Sequence, residues 1–246
     1  MKLRSYTTAT IAIVLATFGA TWSVFARKSQ ALAFEKAKFD LEQKKIQENT
    51  EADQKLGQYT INLISRDYPE LDNSKKQILA RMIVQVASDM FTDPNHKKAF
   101  VAVISIESKF HRDARSPTGA VGLTQIIPNY ANDHGRPCEI YNVKPEDLLD
   151  AQTNLAVGAC YFRFLLERYN GDIFAAISGY NAGHNSKTAE IYSKSGDMSN
   201  AETLRYIAKF VFLYNNVPDN KQVEPKHVKT HVVSKEDLDS DDKISQ

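Results

Sequence analysis

The sequence predicts a mainly α fold with a small region of turns and short strands. Apolar residues recur at helical spacing, as in Ile78, Met82, Ile83, Val86 and Met90. Helix starts are marked by chain breaks and capping residues, such as Asn170-Gly171-Asp172 and Ser199 with Glu202. The 246 residues, 42% of them hydrophobic, suffice for one globular domain with appendages.

The N-terminus sets the compartment. Ser5–Ala26 carries no charged residue, Lys2 and Arg4 precede it, and Arg27 and Lys28 close it. Its length suits a bilayer, which takes roughly 20 residues, and Trp22 suits an interface. Residues 1–27 therefore read as a membrane anchor, or as a signal segment cut after Val24-Phe25-Ala26. Both readings export the remainder of the chain, and the length favours the anchor. Residues 28–75 read as a charged helical stalk or linker. Between 28 and 56 six positive charges balance six negative ones, and this stretch holds no glycine or proline. Leu32, Phe39 and Ile46 fall seven apart, without the matching apolar positions a coiled coil needs.

A domain over 76–215 comes next. Asp93-Pro94-Asn95 breaks the first helix from the next. Residues 97–110 are apolar nearly all round, so that helix is buried. Residues 111–124 hold Ser116-Pro117-Thr118-Gly119 and Gly122, a set of turns. Residues 129–149 read as an irregular loop. Leu155, Gly158, Tyr161, Phe162, Leu165, Leu166 and Tyr169 mark an amphipathic helix, and a short apolar helix then ends at Asn181-Ala182-Gly183. The last helix is apolar on two faces: Leu204, Ile207 and Val211, then Tyr206, Phe210 and Leu213. The tail over 216–246 is acidic from Ser234 onward, with five acids against two lysines, and is expected to be disordered.

Chemistry concentrates at Ile104–Pro128. Glu107 ends a run of apolar residues, near the C-terminal end of its helix. An apolar wall and the negative end of a helix dipole both disfavour a carboxylate, so the group keeps its proton toward neutral pH. Lys109 and Arg112 are expected to face solvent. A net charge of +1 gives no reason to expect a nucleic-acid partner. There is no phosphate loop, no dinucleotide fingerprint and no clustered metal spacing, so neither cofactor nor metal is expected. His184 reads as a lone surface histidine. Cys138 and Cys160 are free to pair in an oxidising compartment, closing a loop of about 20 residues worth on the order of 3 kcal/mol. The alternative is two independent buried thiols.

Three blocks in order resemble the lytic transglycosylase domain of the soluble-lytic-transglycosylase type, in the α+β lysozyme-like superfamily. The first is Glu107-Ser108-Lys109-Phe110 with Ala114–Pro128, including Gly119, Gly122 and Gln125. The second is Asn154-Leu155-Ala156-Val157-Gly158 with Tyr161, then Tyr169–Asp172 and Tyr180-Asn181-Ala182-Gly183. The third is Glu202-Thr203 with Tyr206. Thr124 stands where the family usually has methionine, a change expected to alter packing on the bound sugar.

The resemblance implies cleavage of the MurNAc-β-1,4-GlcNAc bond of peptidoglycan without water, leaving 1,6-anhydro-MurNAc. Glu107 would be the sole general acid and base. Ser116 would bond the acetamido group or the attacking hydroxyl, Gln125 and Asn181 would hold sugar polar groups, and Tyr180 and Tyr206 would line the cleft near Glu107. Ordinary glycosidases flank the bond with two carboxylates. Here one glutamate sits in the signature, and the nearby Asp113 has no role in the family pattern. Two rival functions stay open: a hydrolase of the same fold, as in goose-type lysozymes, and a non-catalytic glycan-binding assembly protein. The expected partners are glycan strands, the cytoplasmic membrane through Ser5–Ala26, and a trans-envelope machine for secretion, conjugation or phage penetration. The expected location is the inner membrane, with the domain in the periplasm.

Overall fold

Four aspartates start four of the helices. Asp72, Asp93, Asp150 and Asp172 accept hydrogen bonds from the backbone N–H of Ser74 (2.8 Å), Asn95 (2.8 Å), Thr153 (2.9 Å) and Phe174 (2.9 Å). Each satisfies a donor that the first helical turn leaves without an intrahelical partner. Pro94, with no N–H to lose, succeeds Asp93 at the first helical position.

The computed structural model describes residues 3–197 and 200–215; for residues 3–26 it describes the backbone alone. The helices are α1 (Leu3–Asp67), α2 (Asn73–Met90), α3 (Pro94–Ser108), α4 (Ala131–Gly135), α5 (Ala151–Arg168), α6 (Ile173–Ala182), α7 (Lys187–Ser195) and α8 (Ala201–Asn215). Short 3-10 turns occupy Pro128–Tyr130, Arg136–Cys138 and Pro145–Leu149. No strand forms among the described residues. The expected strands reduce to isolated bridges, Arg115 with Val121 and Val121 with Ile126, because 116–125 doubles back too tightly for a ladder.

By its contacts the chain divides into Met1–Ala52 and Asp53–Gln246. In the first unit Leu32, Phe39 and Ile46 are exposed. Among the described residues no helix is long and apolar enough to cross a membrane. The side chains of the anchor expected at Ser5–Ala26 lie outside the described residues, as do Ser199 and the acidic tail.

In the second unit α5 packs against α2, α4 and α6, and α8 packs against α3 and α6. The main core runs through Phe100, Ile104, Phe110, Leu155, Phe162 and Phe210. A smaller core of Val121, Ile126, Ala131, Val143, Leu148 and Val157 underlies the turns. The expected stalk does not stay in solvent up to residue 75. Leu56, Tyr59, Leu63 and Ile64 are buried in the main core, and Ser105 donates to Asp67 at 2.6 Å. Ile78, assigned to an apolar face, is instead exposed. α3 is buried, lysines included. Lys97 pairs with Asp53 at 2.7 Å, and Lys98 sits 4.5 Å from the Tyr214 ring centre. The segment 129–149 is a chain of short helical pieces rather than an irregular loop. α7 carried too weak a pattern to be predicted, with Ala189 and Tyr192 its buried residues.

Cys138 and Cys160 form a disulfide, their Cα atoms 6.0 Å apart and 22 residues apart in sequence. It ties the segment after α4 to the middle of α5. Reduction is expected to lower the free energy of unfolding by about 3 kcal/mol, since the reduced unfolded chain regains the entropy of the closed loop. Denaturant titration with and without reductant measures this, and coincident curves would refute it.

Candidate active site

α3 delivers Glu107 one residue before its end. The chain then turns away at once: Lys109 and Phe110 are both left-handed, at φ 50° and 66°. That region is unfavourable for non-glycine residues. Phe110 is held there by full burial and by a 3.2 Å hydrogen bond from its N–H to the Ser108 hydroxyl. Lys109 and Arg112 are exposed, as expected.

The Tyr206 hydroxyl, brought in by α8, donates to Glu107 Oε1 at 2.5 Å. Burial pushes the Glu107 pKa up to about 7, while the Tyr206 bond pulls it back down. Tyr206 and Tyr180 are themselves pushed well above the usual tyrosine range, first by burial and then by the Glu107 charge. Both phenols stay protonated as donors. Tyr180, near the end of α6, donates to the Thr124 carbonyl at 2.8 Å.

The turn at 121–126 is fixed from below by Asn154, which is fully buried at the start of α5. Its side-chain amide donates to the carbonyls of Val121 (2.9 Å) and Leu148 (3.1 Å). Its carbonyl oxygen accepts from the Thr124 N–H (2.9 Å) and hydroxyl (2.7 Å). Thr124 is fully buried, so it does not meet a sugar as expected; it fills the space left by Gly158, where a Cβ would run into its side chain. Gly122 lacks room for a Cβ against Asn154 and the Leu148 carbonyl. Gln125 is left-handed at φ 50° and donates to the carbonyls of Gly122 (2.8 Å) and Ala114 (3.2 Å).

Beside this turn lies a cleft of about 610 Å³, whose lining includes Gln125, Tyr180 and Asn181. Glu107, Tyr206 and Ser116 are not in its lining. Ser116 is held in its own turn, 2.8 Å from the Thr118 hydroxyl and accepting the Ala120 N–H at 3.0 Å. The structure thus joins Glu107 to Tyr206 directly and places Gln125, Tyr180 and Asn181 along one cleft. Asp113 is exposed. Among the described residues no cluster of metal-ligating side chains occurs.

Some cleft residues carried no signal in the sequence. His184 is not a lone surface histidine: it lies in the lining with His134, 3.5 Å from the Tyr161 hydroxyl. Asn154 belonged to a quoted motif but had no role assigned to it.

Residues 83–201 match the family described as the transglycosylase SLT domain. That match spans a little under half of the chain, 119 of its 246 residues. The match includes Glu107 and the whole lining of the cleft, and stops short of Tyr206. Over 84 residues the chain is 31% identical to the soluble lytic murein transglycosylases of Salmonella typhimurium LT2 and Escherichia coli K12. That stretch is 34% of this chain and 13% of each relative. Two solved structures are similar to it. An inactive mutant of lytic transglycosylase Slt from Pseudomonas aeruginosa has 24% identity and a TM-score of 0.49, over 55% of this chain and 23% of that one. The 70 kDa soluble lytic transglycosylase of Escherichia coli has 20% identity and a TM-score of 0.49, over 65% and 29%.

Proposed function

We propose that residues 76–215 form an SLT domain and act as a peptidoglycan lytic transglycosylase. It cleaves the MurNAc-β-1,4-GlcNAc bond and leaves 1,6-anhydro-MurNAc, with Glu107 as both acid and base. The observation that carries this reading is a buried glutamic acid, bonded to Tyr206 and holding its proton to about pH 7, within the segment that matches the SLT family. Neutral Glu107 donates its proton to the glycosidic oxygen as the bond from the muramic anomeric carbon breaks. The substrate's acetamido group stabilises the positive charge at that carbon. The muramic 6-hydroxyl then attacks it and gives its proton to Glu107, which restores the acid without consuming water.

Tyr206 holds the carboxyl group in one orientation through both steps. Gln125, Tyr180 and Asn181 would position the strand along the cleft, and Ser116 would engage the acetamido or the 6-hydroxyl after releasing Thr118. The two causes acting on the Glu107 pKa are burial and Tyr206, with no second carboxylate among them. The reading places the domain in the periplasm, held at the inner membrane through Ser5–Ala26 and working locally for a trans-envelope machine.

Mass spectrometry of digested peptidoglycan tests the chemistry. Anhydro-muropeptides are expected. Reducing ends would assign a hydrolase, and undigested material a binding protein. Because the first step needs the protonated acid, kcat/KM is expected to fall as pH rises through about 7. A profile flat from pH 6 to 9 would refute Glu107 as the acid.

A further inference from the structure

Tyr59, Arg66 and Asp67, in the last turns of α1, bear on the two helices that carry Glu107 and Tyr206. On α3, the buried Ser105 hydroxyl donates to Asp67 Oδ2 at 2.6 Å and accepts from Arg66 at 3.2 Å. On α8, the Leu213 carbonyl accepts from the Tyr59 hydroxyl at 3.3 Å. The Lys98 ammonium of α3 lies 5.1 Å from the Tyr59 ring centre and 4.5 Å from that of Tyr214. We infer that the end of α1 aims Glu107 at Tyr206, with Asp67 as a positioning residue that acts through Ser105. The inference rests on the reading of Glu107 as the acid. It adds to that reading residues outside the family match, which begins at 83.

Helix geometry gives the contact its leverage. Residues two apart on an α-helix point about 200° apart. Ser105 therefore faces α1 while Glu107 faces α8. A hydrogen bond on one side of the last turn fixes the rotation of that turn, and so the direction of the carboxyl group on the other side. Asp67 is itself held. It accepts from Arg66 at 2.6 and 2.9 Å, and just beyond it the Lys76 ammonium of α2 donates to the Pro69 carbonyl at 2.9 Å.

The chain after Glu107 also needs an outside hold. Lys109 and Phe110 keep left-handed backbones, and such strain persists only where the surroundings impose it. The His111 ring directly after them lies against the Tyr68 ring, with centroids 3.9 Å apart. The end of α1 and the residue after it thus touch the chain two residues before Glu107 and four residues after it. The Glu107 pKa is set by burial and by Tyr206. The titratable groups facing it are Tyr206 from α8 and Tyr180 from α6. Asp67 is not among them, so a changed Glu107 pKa on altering Asp67 reports a displaced carboxyl group.

The test is a carbon-13 NMR titration of the glutamate carboxyl groups in the full chain, with Glu107→Gln to assign the Glu107 signal. Ser105→Ala cuts the contact and leaves the Asp67–Arg66 pair intact, and Asp67→Ala removes the other half. Both are expected to lower the Glu107 pKa from about 7 by about one unit, a tenfold loss of proton affinity, as the carboxyl group gains water. Asp67→Asn keeps an oxygen for the Ser105 hydroxyl and is expected to titrate with the wild type. In glycan cleavage, kcat of Ser105→Ala is expected to fall about tenfold with KM unchanged, because no described α1 residue lines the cleft. An unchanged Glu107 titration in folded Ser105→Ala would overturn the proposal, whether or not Asp67→Ala folds. So would an Asp67→Asn shift as large as that of Asp67→Ala, or a raised KM at unchanged kcat. A wild type that cleaves no glycan would sink the proposed function and leave the titration to decide the role of Asp67.

Discussion

Glu107→Gln is expected to reduce glycan cleavage about a thousandfold or more, because one side chain would supply both proton transfers. The amide keeps the shape of the acid and an oxygen for the Tyr206 hydroxyl. A variant that retained more than about one per cent of activity would remove Glu107 from the mechanism. The same substitution makes an opposite prediction for stability. The ordinary carboxyl releases its proton near 4.5, and the folded protein holds it to about 7. The folded state therefore binds more protons than the unfolded one between these values, and wild-type stability falls as pH rises across that window. Glutamine has no proton to release. At pH 8 the variant is expected to melt no lower than the wild type, and a lower melting temperature would contradict the burial argument.

Asn154→Leu is expected to destabilise the domain by about 3–4 kcal/mol, chiefly through buried polar groups left without partners. The Thr124 N–H loses its acceptor, and the carbonyls of Val121 and Leu148 lose a donor. Val121 keeps a second bond, from the Ile126 N–H at 3.1 Å, so the loss is less than the full sum. Thr124→Val provides the comparison. It removes one hydroxyl and leaves the Thr124 N–H bonded to Asn154, so about 1 kcal/mol is expected. Urea unfolding of both variants gives the ratio. Similar midpoints would mean that Asn154 does not anchor the turn. The Thr124 carbonyl also receives the Tyr180 hydroxyl, so Asn154→Leu should lose activity beyond its loss of folded protein.

Local pattern made part of this molecule readable and hid the rest. α3 could be read because Phe100, Val101, Val103 and Ile104 leave it no polar face, and Glu107 because it interrupts that run. Asp172 could be read because a capping aspartate comes right after a turn. Residues 56–64 could not, since their apolar positions alternate with Gln, Thr and Asn after a charged stretch. α7 has two buried residues in nine, too few to show a period. Thr124 misled because its place in the chain says nothing of which way it faces. That depends on Asn154, 30 residues away. His134 and His184 meet across 50 residues, one from α4 and one just after α6, and neither carries a spacing signal.

The disulfide has a consequence for the cleft beside it. Cys138 lies four residues after His134, and Cys160 directly precedes Tyr161. One covalent bond therefore holds two elements whose rings stack at 3.8 Å. This side of the cleft is preorganised: its rings are in register before any ligand arrives. A ligand that lies against it need not supply the entropy of ordering those side chains, roughly 0.5–1.5 kcal/mol for each one otherwise immobilised on binding.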